Sequence, residues 1–89
     1  MEKFGVYILK SLKNNSYYVG STSNISQRLL QHNSGSTYTT KKLRPLVLMK
    51  FIPCVSLSEA RQNEYKLKKY KRKDIIEKVI LDGIFPWNH

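Results

Sequence analysis

The sequence predicts a small α+β fold with its elements in the order β-β-α-β-α-α. Two short apolar runs, each carrying tyrosine, flank a polar turn at Asn14-Asn15, and a third apolar run lies between Pro45 and Pro53. Three further stretches set apolar residues at helical spacing behind recognisable start and stop signals. With 89 residues in all, the chain is expected to form one domain over 1–89. A chain this short buries only about 60–65% of its extended surface, so its core has little reserve.

Phe4 to Leu12 is rich in β-formers and ends at Lys13-Asn14-Asn15-Ser16, a good hairpin turn, with Tyr17 to Gly20 returning. A two- or four-residue loop centred on Asn14-Asn15 sets Tyr7 opposite Thr22, Leu9 opposite Gly20 and Ser11 opposite Tyr18. Tyr7 and Tyr18 then share a sheet face, and Gly20 leaves room beside Leu9. An odd-length loop would turn Tyr18 to the other face. Asn24 fits an N-cap for a helix whose stripe is Ile25, Arg28, Leu29 and His32. That helix should stop near Asn33-Ser34-Gly35, with Gly35 as a left-handed cap. Gly35 to Pro45 has no periodicity and reads as a basic surface loop carrying Tyr38, Lys41, Lys42 and Arg44. Leu46 to Ile52 reads as a buried strand, with Lys50 near an end that reaches solvent.

Ser56-Leu57-Ser58-Glu59 fits a capping box opening a helix that runs to about Tyr70. Its stripe is Leu57, Ala60, Glu64, Leu67 and Lys71, which sets a carboxylate in the middle of the core-facing side. A last helix, about Asp74 to Leu81, buries Ile75, Ile76, Val79 and Ile80 and stops at Gly83. The apolar tail Ile84-Phe85-Pro86-Trp87 is expected to fold back on the core.

Sixteen Lys and Arg against six Asp and Glu give a net charge of +10, and the pI is near 9.9. In a folded chain this field selects polyanions as partners. The cations expected to contact phosphates are Lys41, Lys42 and Arg44, then Arg61, Lys66, Lys68, Lys69, Lys71, Arg72 and Lys73. A single cysteine, Cys54, excludes an intramolecular disulfide and a thiolate metal cluster. It reads as a small buried hydrophobe. The start has no apolar leader, and no apolar run approaches a membrane span, so a cytoplasmic setting without membrane contact is expected.

Among residues that carry chemistry, Glu64 comes first, because a lone buried carboxylate costs several kcal/mol unless paired. Its partner is either Arg61 or Lys68 on the same helix, or a hard cation such as Mg²⁺, which often takes one or two protein carboxylates. Arg28 and His32, an i, i+4 pair, can reach a common anion. Arginine offers a bidentate charged fork, and histidine can donate or move a proton near neutrality. Tyr7 and Tyr18 are ordinary strand aromatics unless cations lie beside them, where a phenol becomes a usable base.

Taken together, these residues resemble the GIY-YIG nuclease family, and in particular its small stand-alone bacterial members. Gly5-Val6-Tyr7 and Tyr18-Val19-Gly20 match its two motifs, with Val for Ile in each. Gly20-Ser21-Thr22 leads into Arg28, Leu29 and His32. His32-Asn33-Ser34-Gly35, Tyr38-Thr39, Arg44-Pro45, and Glu59-Ala60 followed by Glu64 and Lys68 complete the resemblance. Gln27 stands beside Arg28 where many members carry a lysine, and Asn88, by its place in the tail, is a poor candidate for the late asparagine that many members have in the site. The resemblance implies a three-stranded antiparallel sheet packed with helices, and hydrolysis of DNA phosphodiesters with one divalent ion, Mg²⁺ or Mn²⁺. It implies Tyr7 as base toward water, Glu64 as metal ligand and Arg28 as stabiliser of phosphoryl charge. Tyr18 and His32 would orient the site or shuttle protons. The leading expectation is therefore a metal-dependent endonuclease or nickase, acting on branched or damaged DNA. A nucleic-acid-binding module with weak or no catalysis is the second reading. A domain whose protein partner supplies targeting, through an exposed Phe85 and Trp87, is the third.

Overall fold

A computed structural model describes residues 4–35, 38–70 and 72–87. The elements are β1 (Gly5–Ser11), β2 (Tyr17–Thr22), α1 (Ile25–Ser34), a 3-10 helix (Tyr38–Leu43), β3 (Leu46–Pro53), α2 (Leu57–Tyr70) and α3 (Lys73–Asp82). The order is the expected one. The strands form one antiparallel sheet in the order β2-β1-β3. Central β1 is covered on both faces. Val6 and Ile8 pack with Val19, Ile52, Ala60, Leu67, Val79 and Phe85 on one side. Tyr7 and Leu9 pack with Leu46, Tyr18, Ile25, Leu29 and Phe51 on the other.

The hairpin register differs from the expected one by two residues: Tyr7 faces Gly20 and Leu9 faces Tyr18. The cause is Ser11. Its hydroxyl accepts from the amides of Lys13 (3.2 Å) and Asn14 (3.3 Å), and its carbonyl accepts from the amide of Asn15 (2.9 Å). The turn therefore occupies residues 12–15, with Asn15 in the left-handed region at φ 62°. A shift of two preserves the alternation, so Tyr7 and Tyr18 still share a face. Gly20 makes room for Tyr7 rather than Leu9: a Cβ there would overlap the Tyr7 phenol oxygen and its ring.

α1 is capped as expected. The Asn24 side chain accepts from the Gln27 amide (3.1 Å), and Gly35 closes the helix at φ 83°. Asn33 then grips the start of β3, accepting from the Leu46 amide at 2.8 Å and donating to its carbonyl at 2.9 Å. This fixes α1 against the sheet. The stretch expected as a basic surface loop contains the 3-10 helix instead, whose Thr40 is fully buried. β3 is an edge strand, so Leu46 and Ile52 are buried while Leu48 and Met49 are exposed, contrary to the buried strand expected.

Ser56 caps α2 by accepting from the Glu59 amide at 3.1 Å. The buried residues of α2 are Ala60, Asn63 and Leu67. The stripe is thus rotated relative to the expected one, and Glu64 sits at its margin; Lys71 lies outside the described residues. In α3 only Val79 is fully buried, with Ile75, Ile76 and Ile80 packed partly against the core. Phe85 is buried and Trp87 half-buried, so the tail does fold back, although Ile84 stays exposed. Cys54 is half-buried, its sulfur 3.6 Å from the Asn63 amide nitrogen. No helix among the described residues is long and apolar enough to cross a membrane.

Candidate active site

Alternation along β1 and β2 sends Tyr7 and Tyr18 to the sheet face that α1 covers. The i, i+4 spacing brings Arg28 and His32 down onto the same face. The Tyr7 phenol oxygen is the hub. Arg28 Nε donates to it at 3.3 Å, and His32 Nε2 shares a hydrogen bond with it at 2.8 Å. His32 Nδ1 shares another with the Thr40 hydroxyl at 2.7 Å. The Tyr18 ring lies edge-on to His32, with centroids 5.2 Å apart, and 6.4 Å from Tyr7. Tyr7 and His32 are both fully buried as residues, whereas Arg28 and Tyr18 are half-exposed.

Burial has the largest influence on both hub groups. It raises the Tyr7 pKa, against the lowering effect of the Arg28 bond and charge; the Tyr18 and Glu64 charges raise it further. Burial lowers the His32 pKa, and the Arg28 charge adds to this. Near neutral pH the phenol is protonated and the imidazole neutral, so the O–H can donate to Nε2 while Nδ1–H donates to Thr40. Arg28 is raised above its ordinary value, first by its bond to Tyr7. Its outer nitrogen Nη1 also donates to Gln31 Oε1 at 3.1 Å.

Glu64 approaches from the other side of the sheet. α2 packs on the face of Val6 and Val19, and Ser21 of edge strand β2 donates its hydroxyl proton to Glu64 Oε1 at 2.6 Å. Lys68 Nζ lies 2.6 Å from Glu64 Oε2 and 5.5 Å from the Tyr18 ring centroid. The carboxylate therefore meets the tyrosine network around the β2 edge, with Lys68 spanning the two. Its charge is felt at both Tyr7 and Arg28.

No group of three or more His, Cys, Asp or Glu able to hold a metal occurs among the described residues. A single-carboxylate site still fits a hard cation. Glu64 offers oxygen donors, is 21% exposed, and already holds an ammonium. Mg²⁺ commonly takes one or two carboxylates and leaves its other positions to water and phosphate.

Of the cations expected at phosphates, Lys41, Lys42 and Arg44 line one surface depression, and Arg61, Lys66 and Lys69 another. Arg72 and Lys73 border a third beside Tyr17, where Arg72 is committed to Asp74 by two bonds of 3.1 and 2.8 Å. Lys68 is engaged with Glu64. Sequence reasoning passed over two polar residues at the site, Thr40 and Ser21. Ser21 carried a signal: as the neighbour of Gly20 on an edge strand, it must offer its hydroxyl to whatever packs beside it. Thr40 carried none, since its segment shows no period.

The family model described as the GIY-YIG catalytic domain matches residues 3–78. A UPF0213 protein of Staphylococcus haemolyticus is 39% identical over 80 residues, covering 89% of this chain and 96% of that protein. A UPF0213 protein of Syntrophus aciditrophicus is 36% identical over 81 residues, covering 89% of this chain and 92% of its own. The structure-specific endonuclease subunit SLX1 of Debaryomyces hansenii is 50% identical over 44 residues, which is 44% of this chain and 13% of that one. No solved structure matches. With its two tyrosine motifs on paired strands and the family match running through most of its length, the chain belongs to the GIY-YIG nuclease family.

Proposed function

We propose that this protein is a divalent-metal-dependent endonuclease or nickase that hydrolyses DNA phosphodiesters in the cytoplasm, at branched or damaged structures of the kind repair must resolve. The observation that carries this reading is the Tyr7 hydroxyl, bonded at once to Arg28 and His32. A phenol whose pKa is raised makes a poor tyrosinate. As a relay it works: the oxygen takes a proton from the attacking water while its own proton passes to His32 Nε2. Thr40 holds the other ring nitrogen and keeps the imidazole oriented. Arg28, permanently charged and half-exposed, faces the charge that develops on the phosphoryl oxygens. Tyr18 packs the imidazole edge and limits its rotation. Glu64 would hold Mg²⁺ or Mn²⁺, with Ser21 orienting its carboxylate. When bound, that ion supplies Lewis-acid stabilisation of the scissile phosphate and leaving oxygen. The name of the SLX1 relative, a structure-specific endonuclease subunit, supports the substrate class.

The test is cleavage of supercoiled, branched and single-stranded DNA with Mg²⁺ or Mn²⁺. Cleavage should require the ion and fall at least about a hundredfold in Glu64→Ala. Cleavage that persists in chelator, or that Glu64→Ala leaves intact, overturns the assignment.

A further inference from the structure

The outer face of α2 and the tail bring together groups that the cleavage chemistry does not use. Around this helix, Ala60 and Leu67 meet the core, while Glu64 and Lys68 meet the β2 edge. The rest of the circumference carries Arg61, Tyr65, Lys66, Lys69 and Tyr70, all exposed. Two shallow depressions along it share Lys66 and Lys69 and so run into one another, one reaching Tyr65 and the other Trp87. Tyr65 is 65% exposed and Tyr70 43%. Rings left in water singly are unremarkable; here they are interleaved with cations. Lys69 Nζ lies 5.3 Å from the Tyr65 ring centroid, and Lys66 Nζ 5.5 Å from that of Trp87.

The indole is also fixed in place. Trp87 Nε1–H donates to Asn63 Oδ1 at 3.0 Å. Its ring is parallel within 2° to buried Phe85 at 5.0 Å, and within 12° to Tyr70 at 6.1 Å. The tail thereby anchors a row of near-parallel rings that begins in the core and ends at the surface.

We propose that this face binds single-stranded nucleic acid, with bases stacking on Tyr65 and on the Tyr70–Trp87 pair while Arg61, Lys66 and Lys69 take the phosphates. Exposed rings alternating with lysines match a strand that offers both π-faces and negative charge. A duplex hides its base faces and would use the lysines alone. An acidic peptide would also satisfy the cations, but it gives the rings nothing to stack on. Lys68 follows on the same helix at the β2 edge, so a strand lying on this face passes toward Glu64. That last step rests on the nuclease reading; the binding does not.

Trp87 is the only tryptophan, so its fluorescence reports on the site directly. The full chain is titrated, without divalent ions, with a short oligothymidylate and with a duplex of equal length. Oligothymidylate should quench Trp87 and bind more tightly than the duplex. Tyr65→Ala and Tyr70→Leu, both at exposed positions, should each weaken it about tenfold while leaving duplex affinity unchanged. Glu64→Gln should leave the quenching intact, which separates this site from cleavage. Quenching without cleavage supports the strand site and defeats the nuclease reading alone. Saturating oligothymidylate that leaves the fluorescence unmoved, equal quenching by the duplex, or unchanged affinity in the Tyr65→Ala/Tyr70→Leu double variant overturns the proposal.

Discussion

The two sides of the candidate site are built on different physics. On the α1 side Tyr7 and His32 are buried, neutral, and joined through three hydrogen bonds to Arg28, to each other and to Thr40. On the α2 side Glu64 and Lys68 form a charged pair, 21% and 48% exposed, with one hydroxyl from Ser21 behind it. A buried neutral network couples each member's geometry to folding, because an orphaned partner cannot turn to water. An exposed ion pair is worth about 0–1 kcal/mol and can exchange one cation for another. One side is therefore suited to holding atoms in fixed places, and the other to accepting and releasing an ion.

The largest expected effect tests this division directly. Tyr7→Phe and Glu64→Gln should each lower single-turnover cleavage at least about a hundredfold, so activity alone does not separate them. Stability does. Tyr7→Phe strands Arg28 Nε and His32 Nε2 against a phenyl ring and should cost about 1–3 kcal/mol in urea unfolding. Glu64→Gln gives up a surface ion pair and should stay within about 1 kcal/mol. Equal losses of stability in both variants would break the comparison.

The same division explains what the sequence revealed. Tyr7, Arg28 and His32 were legible because strand alternation and i, i+4 spacing are periodic, and a period survives an error of two residues in register. The hairpin was misplaced because Ser11 and Ser16 both suit a turn boundary, and only the side-chain bonds of Ser11 to the Lys13 and Asn14 amides select between them. Glu64 was found, but at the centre of the helix stripe rather than its margin; half-apolar α2 lets Asn63 take the buried position through Trp87 and Cys54. Thr40 was illegible, since a short 3-10 segment rich in polar residues has no pattern that tells a buried threonine from an exposed one. β3 misled for the opposite reason. Apolar residues in an unbroken run imply burial on both faces, yet Leu48 and Met49 lie exposed on an edge strand.

A smaller effect follows from the buried imidazole. His32 titrates below its ordinary value, so in the acid range the unfolded chain binds a proton that the folded one resists. The stability due to neutral His32 is complete above about pH 6.5 and is lost as pH falls through the lowered folded value, by up to about 1.4 kcal/mol per pH unit. The Arg28 charge beside the ring acts in the same sense as burial, opposing a second positive charge. NMR titration should place the midpoint of the His32 ring protons below pH 6.5. Urea midpoints between pH 7 and 5 should fall more steeply in wild type than in His32→Gln. An imidazole half-charged at pH 6.5 would show that the α1 side is as open to water as the α2 side.

The smallest effect concerns Lys68, which sits where the exchangeable side must open. Its ammonium satisfies Glu64 Oε2 at 2.6 Å, and a divalent ion approaching that carboxylate must displace it or bear its repulsion. Lys68→Met keeps the aliphatic stem over Tyr18 and removes the charge. The competing pair is worth at most about 1 kcal/mol at this exposure, so Mn²⁺ should bind about two- to fivefold more tightly. The check is the ion concentration at half-maximal water-proton relaxation, a readout independent of turnover. Folding stability should hardly change, since nothing buried loses a partner. If Mn²⁺ binding weakens instead, Lys68 is arranging the carboxylate for the ion rather than competing with it, and the α2 side is as preorganised as the tyrosine network across the strand.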